Sequence, residues 1–338
     1  MAQGQKYWQK IQMGRESSAG TAVAASSIHR GVGMVEDNLE VVFPDENVGI
    51  ATRADRAYIP KLGATIKFND SPATFEQILH MLEGGIKTVG TGVADGVGSG
   101  KVYDYPFPTT SPLSVADIKT YTIEGGDNAQ CEEAEYAVVQ EWELKGKADE
   151  SWMMTSTWFA RQLTPANYTG ALALVEVEEI LFNNTKLFID TPASGFGNTQ
   201  VSNQLIEASI KGKTGFKPRS TATGAKYFSH AEWTASEMEI SAELTFLHDA
   251  QAISEKSHWR AGTARLLQLL CEGTALTTAG TYSAKTMKID LPGKWEKFAG
   301  LEDSDGASVA KGTFALRYNA TAASSGGITI VNQTASLP

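Results

Sequence analysis

An order of elements recurs about half a chain apart in this sequence, which limits the folds open to it. KVYDYPFP at residues 101–108 and KTMKIDLP at 285–292 both run from Lys to Pro, with apolar residues at the second or third, fifth and seventh places. Each follows a stretch of helical spacing, and each of those follows a short β-like run. Strand, helix, strand therefore recurs, as duplication of one supersecondary unit would leave it. The length of 338 residues fits two domains. The pattern divides the chain into a polar arm at 1–35, a first β-rich domain at 36–170 and a second at 171–338.

In the first copy, ATIKF at 64–68 predicts a strand. A helix is expected to start at 71–74, with Phe75, Ile78, Leu79 and Leu82 spaced i, i+3, i+4, i+7 on one face. Gly84 and Gly85 are expected to stop it. In the second copy, ELTF at 243–246 is the matching strand. Ser257 is expected to cap a second helix with a stripe of Trp259, Thr263, Leu266, Leu267 and Leu270, ended by Gly273. Two long runs alternate as strands. At 138–147, Val138, Gln140, Trp142 and Leu144 fall on one face, and Val139, Glu141, Glu143 and Lys145 on the other. At 237–246, Met238, Ile240, Ala242 and Leu244 oppose Glu239, Ser241, Glu243 and Thr245. A weaker echo links EWELKGK at 141–147 to EASIKGK at 207–213, an offset of 66 (207 − 141). The fold class expected is mainly β with few helices, each copy holding several strands and one helix on a sheet face or edge.

Little chemistry accompanies this architecture. The net charge of −10 argues against ordinary DNA binding, which needs a basic footprint. Two cysteines, Cys131 and Cys271, make neither a disulfide framework nor a zinc site, and point to reduced, cytosolic synthesis. No apolar run reaches the length of a signal peptide core or a membrane span. The stretch GTGVADGVGSG at 90–100 is a long loop by composition. Its GVGSGK ending is no phosphate loop, because Lys101 is followed by Val102 rather than Ser or Thr. His29, His80, His230, His248 and His258 lack metal-ligand spacing, and no serine sits in a nucleophile elbow. The expectation is a non-enzyme without cofactor or metal.

Several segments resemble the tail tube proteins (major tail proteins) of long-tailed bacteriophages. GRESSAGTAV at 14–23 is similar to their G-x-E-x-x-x-G-T-A opening. ENVG at 46–49, the ATFEQ helix start at 73–77, the run from 96 that ends in YPFPTT at 105–110, and GTFALR at 312–317 fit the same order. The resemblance implies a tail-tube-type β-sandwich or partial barrel, here duplicated, each copy flanked by one α-helix. It implies self-assembly: strands of neighbouring subunits join into one inner barrel, and rings stack into a hollow conduit for genome ejection. Single-domain members form hexameric rings and two-domain members trimeric, pseudo-hexameric rings, so homotrimers or homohexamers are expected. The implied partners are other copies of this chain, a tape measure protein, tail terminator and tip proteins, and transiently double-stranded DNA without specific binding, with no membrane. The implied location is the tail of a virion, after synthesis in host cytoplasm. An acidic lumen is expected, with Glu141, Glu143, Glu239 and Glu243 as lumen-facing candidates. Gly90, Gly92, Asp95, Gly96, Gly98 and Gly100, with the N-terminal arm, are candidates for ring stacking. The alternatives are another virion structural protein (terminator, baseplate or decoration), a single-domain type VI secretion tube, an adhesin module stacking sugars on Tyr103, Tyr105 and Trp142, or, last, an enzyme with a carboxylate site.

Overall fold

Alternating apolar and polar residues become long antiparallel strands in the computed structural model, which describes residues 3–52, 55–109, 117–233 and 238–337. Thr110 of YPFPTT and Glu237 of the 237–246 run lie outside the described residues. The first half contributes β1 (Lys10–Arg15), β2 (Gly33–Asp37), β3 (Glu40–Val42), β4 (Tyr58–Lys61), β5 (Ala64–Pro72), helix α1 (Ile78–Gly85), β6 (Lys101–Pro106), β7 (Tyr121–Gly126), β8 (Cys131–Lys147) and β9 (Met153–Ala160). The second contributes β10 (Leu205–Lys213), β11 (Phe216–Arg219), β12 (His230–Trp233), β13 (Glu239–Leu247), helix α2 (Ala250–Arg260), β14 (Arg265–Ala275), β15 (Ala284–Phe298), β16 (Ala307–Leu316) and β17 (Gly327–Asn332). The protein is mainly β, with two α-helices among the described residues.

Eight strands form one sheet in the order β2–β5–β9–β8–β10–β13–β16–β15. Its first four strands and its last four repeat one topology. In each, an edge strand pairs with the strand that precedes the helix, and a hairpin completes the set. β2 corresponds to β10, β5 to β13, β8 to β15 and β9 to β16; α1 follows β5 as α2 follows β13. The irregularities repeat as well. β8 bulges at Gln140, between Val139 opposite Trp158 and Glu141 opposite Thr157. β15 bulges at Glu296, between Trp295 opposite Phe314 and Lys297 opposite Thr313. The paired positions are 156 residues apart (295 − 139; 314 − 158). A bulge breaks the ladder at one residue, and the two hairpins carry theirs at the same place.

A second layer covers the apolar face. The first part of β8 turns into it, pairing with β7, which pairs with β1. The first part of β15 does the same with β14, which pairs with the short strand Thr185–Asp190. One continuous core lies between the layers and the helices. Its largest fully buried members include Trp152, Trp158, Tyr121, Phe75 and Phe314. Backbone approaches closely where only glycine fits: a Cβ on Gly84 would lie 2.8 Å from the Trp158 ring, and one on Gly212 would lie 2.2 Å from Trp142.

Five local expectations change. The second helix is 250–260, capped by Asp249, whose carboxylate accepts from the backbone amides of Gln251 and Ala252. The stretch around Leu266–Leu270 is strand β14, buried on both faces, and such a run matches helical spacing by chance. The first helix begins at Ile78, because Ser71 and Pro72 still belong to β5. The bulge at Gln140 turns Val139, not Val138, toward the core shared with Trp142 and Leu144, while Val138 joins a satellite cluster under the β11–β12 hairpin. The chain from Lys10 is no free arm: β1 runs along β7, and residues 26–29 fold back on it.

The two similar octapeptides are neighbours rather than counterparts in the repeat. Both flank β17 in one register: Ile328 faces Tyr105 on one side and Ile289 on the other, 184 residues apart (289 − 105). β6, from the first half, thereby completes the second layer of the second half. The weaker echo also has a cause. EWELKGK and EASIKGK pair with each other antiparallel, Leu144 opposite Ile210, about a local two-fold axis that joins the halves.

Candidate functional site

The outer face of the eight-stranded sheet carries most of its charge. Alternation in β8 and β13 places Glu141, Glu143, Glu239 and Glu243 together there, with β10 between the two strands. β10 interleaves lysines. Lys213 lies opposite Glu141 and Glu239, and Lys211 opposite Glu143. The Lys213 ammonium is 3.9 Å from Glu141, and that of Lys211 is 3.5 Å from Glu143, whose carboxylate also accepts from Ser209 at 2.6 Å. Lys145 meets Glu207 at 3.2 Å, Lys311 meets Glu243, and Lys67 meets Glu36 at 2.9 Å. The face is therefore a lattice of paired charges, whereas the carboxylates read along single strands had pointed to an acidic one. Lys211, Lys213 and Lys311 escaped sequence reasoning because their strands were read separately; the alternation of LIEASIKGK at 205–213 was the available signal.

Reversing Glu141 and Glu143 together (E141K/E143K) sets lysine against Lys213 and Lys211. Like charges directly opposite destabilise a strand pair, by on the order of 1 kcal/mol in total. The urea midpoint is expected to fall, and adding K211E/K213E is expected to restore it. An unchanged midpoint in E141K/E143K would separate these side chains.

The sheet ends in two unpaired edges. Among the described residues, β2 has a ladder only with β5, and the last part of β15, from Lys294, only with β16. The other ladders branch from this sheet, except those of the β3–β4 and β11–β12 hairpins, which form separate two-stranded sheets. Among the described residues no ladder joins β2 to β15, so the eight strands do not close on themselves. The β2 edge is open, and on the β15 edge the Glu296 carbonyl accepts from the Trp259 indole at 3.0 Å; edges without a strand partner invite pairing with another chain.

The glycine-rich loop is held by the second half. Asp95 accepts from the amides of Thr281 at 3.0 Å and Tyr282 at 2.8 Å. The Tyr282 amide, and then Thr281, hold its carboxyl below the usual range. Ser99 accepts from the Thr278 amide, and a Cβ on Gly98 would lie 2.7 Å from the Gly280 nitrogen. Gly90 and Gly92 bond the backbone of Leu337 and Ala335. Gly100 packs beside Leu276 and Val331, while Gly96 takes a positive φ of 57° with open space around it. Val93 and Val97 are left outward. The sugar-stacking alternative loses its surface, because Tyr103 and Tyr105 are 0% exposed and Trp142 3%.

Each helix carries a fully buried glutamate forked to an arginine. Glu83 of α1 accepts from Arg15 at 2.7 and 2.8 Å and from the Tyr121 hydroxyl at 2.8 Å. Glu255 of α2 accepts from Arg265 at 2.7 and 3.1 Å and from the Trp295 indole at 2.9 Å. Burial first, and then the Glu83 charge, push the Tyr121 phenol well above its ordinary pKa, so it stays a donor. His80 Nδ1 lies 3.1 Å from that hydroxyl. With the phenol proton directed at Glu83, Nδ1 carries its own. Burial lowers His80 to about 3, with His29 and Arg15 adding to it, and lowers His29 to about 4. Both are neutral in the fold. As pH falls below about 6.5 the unfolded chain takes up protons that the fold refuses, so stability is lost progressively down to about pH 3. The urea midpoint is expected to drop between pH 7 and 4, and less steeply in His80→Gln. Equal slopes would show that His80 does not titrate as described.

Cys131 and Cys271 are both free and buried. Among the described residues no group of three or more His, Cys, Asp or Glu side chains could hold a metal ion. Among the described residues no helix is long and apolar enough to cross a membrane. No protein-family model matches the chain, and no curated protein matches it.

Proposed function

We propose that this chain is a structural subunit of a bacteriophage tail tube, which assembles with copies of itself into stacked hollow rings that conduct the genome. One observation supports this most. The eight-stranded sheet consists of two equivalent four-strand units already joined edge to edge, β8 against β10, and its outer edges are of the same two kinds, a β8-like strand and a β10-like strand. A sheet that has made this junction once internally is built to make it again with the next copy. Contacts of that heterologous kind close into a ring if the rotation allows. Two units per chain favour three copies in a ring with six similar lobes.

In this arrangement the charged face lines the lumen. Lysines held by carboxylates present little net field to phosphate, so duplex DNA slides past rather than binding. A tape measure protein would occupy the tube before DNA, with terminator and tip proteins at its ends, all within the tail of the virion. The exposed β3–β4 hairpin, with Leu39, Val41, Phe43 and Tyr58 outward, joins the loop at 90–100 as a candidate for contact between rings. Negative-stain electron microscopy of the purified protein tests the proposal. Stacked hollow rings are expected. A protein that stays monomeric at high concentration would point instead to an accessory or adhesive role.

A further inference from the structure

The junction inside the chain supplies a template for the junction between chains. This inference rests on the ring-subunit proposal and specifies its contact. The repeat assigns each position of the two outer edges a counterpart inside. On one edge, Glu141 opposite Thr157 corresponds to Lys297 opposite Thr313, an offset of 156 (297 − 141). On the other, Lys211 of β10 opposite Ser241 corresponds to Glu36 of β2 opposite Thr65, an offset of 175 (211 − 36). The internal pair Glu141 opposite Lys213 therefore translates to Lys297 opposite Asn38, and Glu143 opposite Lys211 to Ala299 opposite Glu36.

The signs of charge are reversed between the two junctions. Inside, the β8 edge is acidic through Glu141 and Glu143, and the β10 edge basic through Lys211 and Lys213. Outside, the β15 edge is net basic, with the exposed Lys294 and Lys297 flanking Glu296 at the bulge, and β2 and its continuation are acidic through the exposed Glu36, Asp37 and Glu40. Glu36 already meets Lys67 at 2.9 Å, as Glu143 meets Lys211 inside. The same register brings Leu301 toward Met34. Both are apolar and exposed in the single chain, at 55% and 43%.

We propose that the β15 edge of one copy pairs antiparallel with β2 of the next, Lys297 opposite Asn38 and beside Glu36. The charges also set the direction of growth. Two β2 edges meeting about a two-fold would oppose carboxylates, and two β15 edges would oppose lysines. Only the head-to-tail contact is complementary, and it leaves the next edge open until a ring closes. The reversed signs further keep an outer edge from invading the internal junction, since β15 against β10 would set Lys297 against Lys213.

The test uses the full chain and two kinds of variant. Lys297→Glu and Glu36→Lys are each expected to raise the concentration needed for assembly about tenfold, and the double variant K297E/E36K to recover most of it. The pair N38C/K297C is expected to form disulfides between copies on mild oxidation, giving a ladder of covalent multiples in non-reducing gels. The three positions changed, 36, 38 and 297, are exposed, so thermal midpoints of the Lys297→Glu and N38C/K297C variants should match the parent and exclude misfolding, while Glu36→Lys, set beside Lys67, is expected to show a small loss that leaves it folded. Rings in the parent, with no disulfide and no effect of either reversal, would overturn this register while leaving the ring proposal standing. A parent that never assembles would overturn both.

Discussion

Replacing Arg265 by Ala is expected to lower the stability of the protein by about 3–5 kcal/mol, the usual cost of removing one partner from a buried ion pair. Glu255 is 0% exposed and has its carboxylate forked to Arg265, whose side chain is 8% exposed. Without the guanidinium, Glu255 keeps only the Trp295 indole and the Gln251 amide as donors. A buried carboxylate so placed must take up a proton or draw in water, and either weakens the seat of α2 on β14 and β15. The double variant R265M/E255M is expected to lose less than Arg265→Ala, although Trp295 Nε1 is then left without an acceptor, because no unpaired charge remains. Urea unfolding of the three proteins at pH 7 measures the difference. A double variant less stable than the single one would show that the pair stabilises outright.

Trp158→Ala is the second large effect, also about 3–5 kcal/mol. Trp158 is 1% exposed and stacks edge-on against Tyr121 and Phe68, with ring centroids 5.5 and 5.8 Å away. The end of α1 rests on it at Gly84. The indole donates to Ser156 Oγ at 2.8 Å, so truncation opens a large cavity and strands a hydroxyl. The repeat supplies a graded control: the corresponding position in the second half is Phe314, fully buried against Trp295. Trp158→Phe borrows that solution and is expected to cost less than half as much as the alanine variant. Equal losses would mean that the indole nitrogen, not ring packing, holds this site.

Much of this architecture was legible in the sequence, with its limits set by what a strand looks like from outside. The runs 138–147 and 237–246 declared themselves as strands by alternation because one face is buried and the other charged. The buried stripe of Ile78, Leu79 and Leu82 likewise marked α1. Leu266 to Leu270 misled because β14 is buried on both faces, so periodicity carried no information there. The bulge at Gln140 was invisible, since an extra residue changes the face of Val138 and Val139 without changing composition. The two octapeptides suggested duplication for a partly mistaken reason: they flank β17 as neighbours and are not counterparts in the repeat. The true repeat, 156 residues apart in the hairpins, has almost no identity, with Val139 matched to Trp295 and Glu141 to Lys297. The open edges lie further still from view. An edge is the lack of a backbone partner, and no residue type encodes it.

The charged face shows the same limit. Glu141, Glu143, Glu239 and Glu243 do share one face, but their character depends on lysines of the intervening strand, and strand order is not written in any single segment. The proposed conduit is accordingly lined by paired charges, and its junctions rather than its lumen carry the more specific prediction.

The most direct measurement is the mass of the smallest closed assembly, by native mass spectrometry, read together with the rotational symmetry of end-on electron micrographs. Two four-strand units per chain of 36.3 kDa predict a ring of three chains showing six similar lobes. A protein that remains a single chain at every concentration, or a ring whose lobes number the same as its chains, would contradict the proposal that the two halves are equivalent wall segments.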